Sequence, residues 1–431
     1  MAEIVKLSYP IISNFDSHYQ MKEIKEMGYI KNLVLTSIIG GLVGVLNYVF
    51  NIIVARYTSP DIFGTFSAAM AIIYLLQIPI VSIQAVITKK VGEHRRYDLN
   101  RFKWNSVLIF SLIGLVISTI FFLVRIPISH IASVPTNTFI YLTSVLLVAF
   151  ISPIAKGLLL GTERIVAINF LLLLEAILRI GMGVIAVKLG GSLPILILSN
   201  CIPMLITTLI ILPIIKLNGE PLKNDIKVNY KELILTTVSF FLLSAPYTLD
   251  LILVNTSFRS EYSAVSLLGK LVYFAAITIA SVMFARLSNE TNPKAERKTL
   301  FIALLGTVGI GLIMTLGLYI FKDLVIKMTI GEQYLSVAPY IAIFGLCMTG
   351  YAIVYMLANY FISINRFSYI YILVGLTIIQ ISLFMTRNGN LMQVLYNQIV
   401  VYSLLTVLTL GYLFLTLRKR EHGQKTIQGD R

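Results

Sequence analysis

The feature that most restricts this chain is an alternation. About twelve apolar stretches, each near twenty residues long, are separated by short polar loops. A helix needs about 20 apolar residues to cross the hydrocarbon core of a bilayer. In lipid every backbone N–H and C=O must be bonded within the protein, so spanning segments are helices or closed barrels. Two-residue alternation is absent, which argues against a barrel. The spans fall at 33–55, 63–87, 105–124, 138–160, 166–188, 193–215, 233–255, 262–284, 299–321, 338–362, 368–386 and 391–417. They occupy most of the 431 residues and leave no room for a sizeable soluble domain.

Charge gives the orientation. Only 13% of residues are charged, against about 25% in a soluble domain. The net charge of +15 would suggest a nucleic-acid partner on a soluble protein, but here it is topological, and no nucleic acid is expected. Of 35 Lys and Arg, 25 fall on the side holding both termini, 7 on the other and 3 within spans. Cytoplasmic loops carry the Lys and Arg excess, so the expectation is a multi-pass cell-membrane protein with both termini cytoplasmic. Its parts would be a cytoplasmic N-terminal segment, 1–32; a six-helix bundle, 33–215; a cytoplasmic linker, 216–232; a second six-helix bundle, 233–417; and a cytoplasmic tail, 418–431. Residues 1–31 lack the features of a signal peptide. Met21 to Lys31 fits an amphipathic surface helix or a solvated lead-in.

No cofactor or metal is expected. Cys201 and Cys347 lie inside apolar stretches, and His18, His94, His130 and His422 have no ligand spacing.

The halves repeat at an offset of 199 residues. FGTFSAAMAIIYLLQIPIVSIQAVI from Phe63 aligns with YSAVSLLGKLVYFAAITIASVMFAR from Tyr262, matching Ser67 to Ser266, Tyr74 to Tyr273, Ile80 to Ile279 and Ser82 to Ser281. Six helices per half means both halves enter from the same side. The expected fold is therefore all-α, with 12 transmembrane helices in two parallel, pseudo-symmetric bundles suited to alternating access. Pro79, Pro153, Pro203 and Pro246 fall inside spans, and Gly40 and Gly44 form a small-residue face on the first helix, expected to serve packing.

Charges inside the bilayer are costly, at least about 2.5–3.5 kcal/mol each, and mark candidate sites. Glu175 and Arg179 are four residues apart on the fifth span and share a face. Lys270 lies within the eighth span with no acidic residue nearby in sequence, so its partner must come from another helix or a ligand. Lys156 is near the cytoplasmic end of the fourth span and is able to snorkel. Arg56 caps the outer end of the first span, and Asp250 sits near the outer end of the seventh, opposite Asn51 in the repeat. Lys156, Arg179, Lys270 and Arg56 are the candidate substrate-binding residues. Glu175 and Asp250 are candidates for ion coupling or for structural pairing. The bias toward cations suits an anionic substrate.

Two passages resemble a known family. TSPDIFGTFSAA, from Thr58, resembles the L-S-P-E-x-F-G-x-Y-S segment of polysaccharide-export flippases. AKGLLLGTERIVAINFLLLLEAILRIGMGVIAV, from Ala155 to Val187, resembles their R-G-x-x-x-G-x-x-R-F…E-x-x-x-R passage. Gly157, Gly161, Arg164, Glu175 and Arg179 match it, and Lys156 stands where the pattern usually has Arg. The chain thus resembles the polysaccharide-transporter (Wzx-like) branch of the multidrug/oligosaccharidyl-lipid/polysaccharide flippase superfamily. The resemblance implies a V-shaped pair of bundles. It also implies flipping of a polyprenyl-pyrophosphate-linked oligosaccharide from the cytoplasmic to the outer leaflet, with that lipid-linked glycan and possible polysaccharide-assembly proteins as partners. Asn47, Tyr48, Asn51, Tyr273, Tyr355, Asn359 and Tyr360 would then face sugars. The counterpart segment in the second half, SFRSEYSAVSLLGKL, is degenerate. The alternative is a cation-coupled drug or metabolite antiporter of the same superfamily. A membrane enzyme is not expected, because its interfacial carboxylate or His cluster is missing.

Overall fold

The computed structural model describes residues 39–221, 230–287, 292–364 and 366–429. The segment Met21 to Lys31 and most of the linker lie outside these residues. Among them the chain is helical, and the one strand-like pairing is an isolated bridge between Tyr97 and Glu220. In order the helices are α1 (Ile39–Tyr57), α2 (Pro60–Leu76), α3 (Ile78–Glu93), α4 (Asn100–Leu123), α5 (Arg125–Ala132), α6 (Phe139–Gly161), α7 (Ile165–Lys188) and α8 (Leu193–Ile214). They continue as α9 (Tyr230–Leu253), α10 (Arg259–Leu287), α11 (Pro293–Ile320), α12 (Lys322–Met328), α13 (Ala338–Ser363), α14 (Ile370–Thr386) and α15 (Leu391–Gly429).

Every expected span coincides with one helix, except the second, which is split into α2 and α3. The split falls at Gln77, ahead of Pro79 in the first turn of α3. Proline is tolerated there because the first-turn N–H groups have no partner inside the helix. Among the described residues, eight helices are long and apolar enough to cross a membrane, or nine when α9 and α10, which meet at 90°, are taken as one unit. Helices α2 and α14 are apolar but shorter, with 17 residues each. Helix α15 runs on to Gly429, through the expected tail.

Packing follows the order of the chain. Helix α6 lies against α3, α4 and α8, and α7 lies against α8. Helix α13 lies against α10, α11 and α15, while α14 lies against α9 and α15. Helix α2 touches α6 and α8 on one side and α9 and α10 on the other. The close crossing of α6 on α3 uses the glycines of the family-like passage. A Cβ on Gly157 would sit 2.8 Å from Ile87 Cβ, and one on Gly161 2.6 Å from Val91 Cβ. Small residues four apart let two helices approach closely. The expected packing face at Gly40 and Gly44 is a correction: a Cβ at either would meet nothing within 4 Å.

The two ends of the molecule differ. At one end the α3–α4 loop is zipped to the chain after α8. Asp98 and Leu99 donate backbone N–H groups to the carbonyls of Glu220 and Leu217 at 2.8 and 2.9 Å, and Glu220 N–H returns a bond to Arg96 O at 2.9 Å. Lys103, counted above among the loop cations, is buried within α4. Its Nζ donates to Leu212 O at 3.2 Å and Ile215 O at 2.9 Å. A helix leaves its last carbonyls unpaired and carries partial negative charge there, which a lysine satisfies. This is the basic end.

At the far end, parts remote in sequence are joined. Arg56 Nη1 donates to the carbonyls of Lys327, Met328 and Thr329 at 3.1, 2.8 and 3.1 Å. Gln333 Nε2 donates to Ala55 O at 3.1 Å. Arg259 donates to Ser133 O at 3.2 Å and Val254 O at 3.0 Å. The rings of Phe63 and Tyr334 meet edge to face at 5.9 Å, and Gly64 packs on the backbone of Ser260.

Candidate functional site

Two ion-paired clusters occupy the helices. The first is built on α7, where the four-residue spacing puts Glu175 and Arg179 on one face. Arg179 Nη2 lies 3.3 Å from Glu175 Oε1, and Lys156 Nζ, from α6, lies 2.9 Å from Glu175 Oε2. One carboxylate thus faces two cations, leaving a surplus positive charge. Arg179 Nη1 also donates to Asn47 Oδ1 on α1 at 2.8 Å. Its Nε–H has no hydrogen-bond partner among the described residues. The Lys156 and Arg179 side chains are 16% and 20% exposed, so the cluster is open on one side.

The second cluster joins α9 and α10. Lys270 Nζ lies 3.5 Å from Asp250 Oδ2, with the two side chains 8% and 0% exposed. Tyr262 donates its hydroxyl to the same carboxylate oxygen at 2.8 Å, and Leu251 N–H donates to Oδ1 at 2.8 Å. Gln398 Nε2 donates to Tyr262 Oη at 2.9 Å, and Gln380 Nε2 donates to Gln398 Oε1 at 3.1 Å. A buried charge is tolerated only when its partners are in place, and this one has three layers of them.

Pro246 shapes the same region. A proline inside a helix withholds an N–H and disturbs the carbonyls of the preceding turn. Tyr351 donates its hydroxyl to Leu243 O, while Tyr402 and Gln380 donate to Pro246 O at 2.9 and 2.8 Å. Side chains from α13, α14 and α15 thus hold the bend.

Aromatic rings line the space between the clusters. The Tyr247 ring lies 4.3 Å from Lys270 Nζ, a cation–π contact, and stacks on Tyr351 at 5.8 Å. Tyr273 touches Tyr247, Tyr351 and Tyr355 at 5.0, 5.4 and 5.8 Å. Tyr74, on α2, lies within electrostatic reach of both Arg179 and Tyr247, and it is 47% exposed. Tyr48 donates its hydroxyl to Leu267 O on α10 at 3.1 Å.

The structure brings Lys156, Glu175 and Arg179 together, and separately Asp250 and Lys270. Lys156, expected to snorkel, is drawn to Glu175, and Lys270 finds its acidic partner on the preceding helix. Arg56 stands apart, at the far end. Asn47 bonds to Arg179 and Tyr273 packs on Tyr247, while Asn51 and Asn359 bond to the carbonyls of Asn47 and Tyr355 on their own helices. Tyr360 is placed elsewhere, on Glu296 at 2.7 Å. Sequence reasoning missed Tyr247, Tyr351, Tyr402, Gln380 and Gln398. Gln380 had a readable signal, being a lone amide in an apolar run.

Known proteins share this architecture. The inward closed conformation of the lipid II flippase MurJ superimposes with a TM-score of 0.71 at 15% identity, over 88% of this chain and 87% of that one. An inward-facing multidrug resistance MATE family transporter of the MOP superfamily superimposes at 0.69, with 15% identity over 89% and 96% of the two chains. An outward-facing MATE family transporter gives 0.63, with 13% identity over 92% and 96%. At such identities the likeness speaks for the fold. No curated protein sequence matches the chain. The family described as "Polysaccharide biosynthesis protein" matches residues 29–261, more than half of the sequence, and the chain belongs to that family.

Proposed function

We propose that this protein is a flippase that moves a polyprenyl-pyrophosphate-linked oligosaccharide from the cytoplasmic to the outer leaflet by alternating access. The observation that carries the reading is the Lys156–Glu175–Arg179 cluster. It has one surplus positive charge and a guanidinium N–H that has no hydrogen-bond partner among the described residues. A pyrophosphate leaving water needs cations and directed donors to replace its hydration. Lys270 provides a second cation across the tyrosines, and its charge becomes available to a ligand if Asp250 turns to Tyr262 alone. Tyrosine rings and amides suit sugar faces and hydroxyls, and the polyprenyl chain stays in lipid.

In this reading residues 33–215 and 233–417 form two six-helix units, and α2 of the first touches α9 and α10 of the second. The far-end contacts of Arg56, Gln333 and Arg259 close the outer side, and the gap opens toward the basic, cytoplasmic end. Arg56 then acts as a latch on the α12 carbonyls rather than as a ligand for substrate.

The test is reconstitution into proteoliposomes carrying a fluorescent lipid-linked oligosaccharide. The expected result is protein-dependent exposure of the label to a membrane-impermeant quencher on the opposite face. Failure to move it, together with gradient-driven accumulation of a cationic dye, would assign the chain to cation-coupled drug export instead.

A further inference from the structure

A second cationic feature lies away from the ion pairs, at the basic end. Arg95, Tyr97, Leu99, Thr162, Arg164, Lys216, Leu217 and Asn218 line a recess of about 290 Å³. Its floor is rigid. The two loops that form it are zipped by the Asp98, Leu99 and Glu220 backbone bonds, and Asn100 Nδ2 adds a bond to Asn218 Oδ1 at 3.0 Å. Gly219 packs so closely on the backbone of Arg96 and Tyr97 that a Cβ would come within 2.5 Å of Arg96 O.

The charges in the recess do not cancel. Arg95 Nη1 lies 2.6 Å from Glu163 Oε2, and the guanidinium holds that carboxyl below its usual range, so this pair is neutral. Arg164 donates one N–H to Lys216 O at 3.1 Å, which sets its guanidinium across the recess. Neither Arg164 nor Lys216 has an acidic partner within ion-pair distance among the described residues.

Arg164 is also the edge of a second, apolar hollow of about 560 Å³, lined by Glu163, Ile165, Val166, Ala167 and Phe170 on the first turns of α7. Val166 and Phe170 are 65% and 66% exposed there. The turn that sets the two hollows side by side places Glu163 at φ 56°, in the left-handed region. A cationic recess continuous with an outward apolar groove matches one chemistry, a phosphate head attached to a hydrocarbon chain. Basic pockets at the cytoplasmic ends of membrane helices recognise anionic lipid heads in this way.

We infer that this recess holds the phosphate head of an anionic lipid, with Arg164 and Lys216 on the phosphate and the lipid chain lying along Val166 and Phe170. The site is independent of the transported cargo. Its lipid belongs to the leaflet that the basic end faces, and its failure would leave the flippase reading untouched.

Native mass spectrometry of the full chain in detergent, titrated with phosphatidylglycerol, phosphatidylcholine or inorganic phosphate, tests it. Phosphatidylglycerol should bind more tightly than phosphatidylcholine. Arg164→Gln and Lys216→Gln should each weaken it about fivefold, as expected for loss of one cation at a lipid head. Lys216→Arg should restore binding, which separates charge from folding. Phe170→Ser should weaken phosphatidylglycerol and leave inorganic phosphate unchanged. Equal binding of the two lipids, or wild-type phosphatidylglycerol affinity in the Arg164→Gln, Lys216→Gln double variant, would overturn the assignment. Displacement of the lipid by equimolar inorganic phosphate would overturn its lipid half.

Discussion

Lys270 Nζ stands 3.5 Å from Asp250 Oδ2, and these two residues come from consecutive helices that meet at 90°. The pair explains how α9 and α10 tolerate charge at all.

Breaking that pair from one side should be costly. Lys270→Met leaves the Asp250 charge buried, and the loss of stability is expected to be about 3–5 kcal/mol. Adding Asp250→Asn should recover most of it. Thermal unfolding of the single and double variants, read as a double-mutant cycle, gives the coupling.

Glu175 is the shared partner of two cations, so its removal should do more harm than removal of either. Glu175→Gln leaves Lys156 and Arg179 facing one another, whereas Lys156→Gln leaves a simple pair. The first variant is expected to lose about 2 kcal/mol more than the second. Lys156→Arg should be close to neutral, since an arginine reaches the same carboxylate oxygen. Melting temperatures of the purified proteins check the order.

Lys103 holds the end of α8 through the carbonyls of Leu212 and Ile215. Lys103→Met should cost about 1–2 kcal/mol, through the unpaired carbonyls of Leu212 and Ile215. Amide exchange in the last turn of α8 should quicken, while the flipping rate per folded molecule stays at the wild-type value.

On the proposed mechanism the far-end contacts form a closure that opens during transport. With Cys201 and Cys347 replaced by Ser, the pair Ala55→Cys and Gln333→Cys should be joined by a short cleavable thiol cross-linker. Flipping should stop on cross-linking and return on cleavage. Continued flipping while cross-linked would show that this end stays shut throughout the cycle.

What was readable from the sequence follows from the range of each interaction. Helices come from apolar length, and Glu175 with Arg179 comes from a four-residue spacing, both local facts. Lys156 with Glu175 and Lys270 with Asp250 are contacts between helices, invisible until the helices are placed. Lys103 was misjudged because three residues of helix separate a loop cation from a buried cap. Gly40 and Gly157 begin the same four-residue pattern, but only α6 has a neighbour close enough to use it. Gln380 was legible as a lone amide in an apolar run, and its purpose emerged only with the chain through Gln398 and Tyr262 to the Asp250 carboxylate.

The central claim is that the cations between the helices stabilise the substrate's pyrophosphate. Its most direct measurement is the initial flipping rate of a labelled lipid-linked oligosaccharide by Arg179→Ala and Lys270→Ala proteins, normalised to the inserted amount. Each rate should fall about tenfold, about 1.4 kcal/mol of lost stabilisation, and Lys270→Arg should keep much of the activity. Undiminished flipping by both alanine variants would contradict the claim.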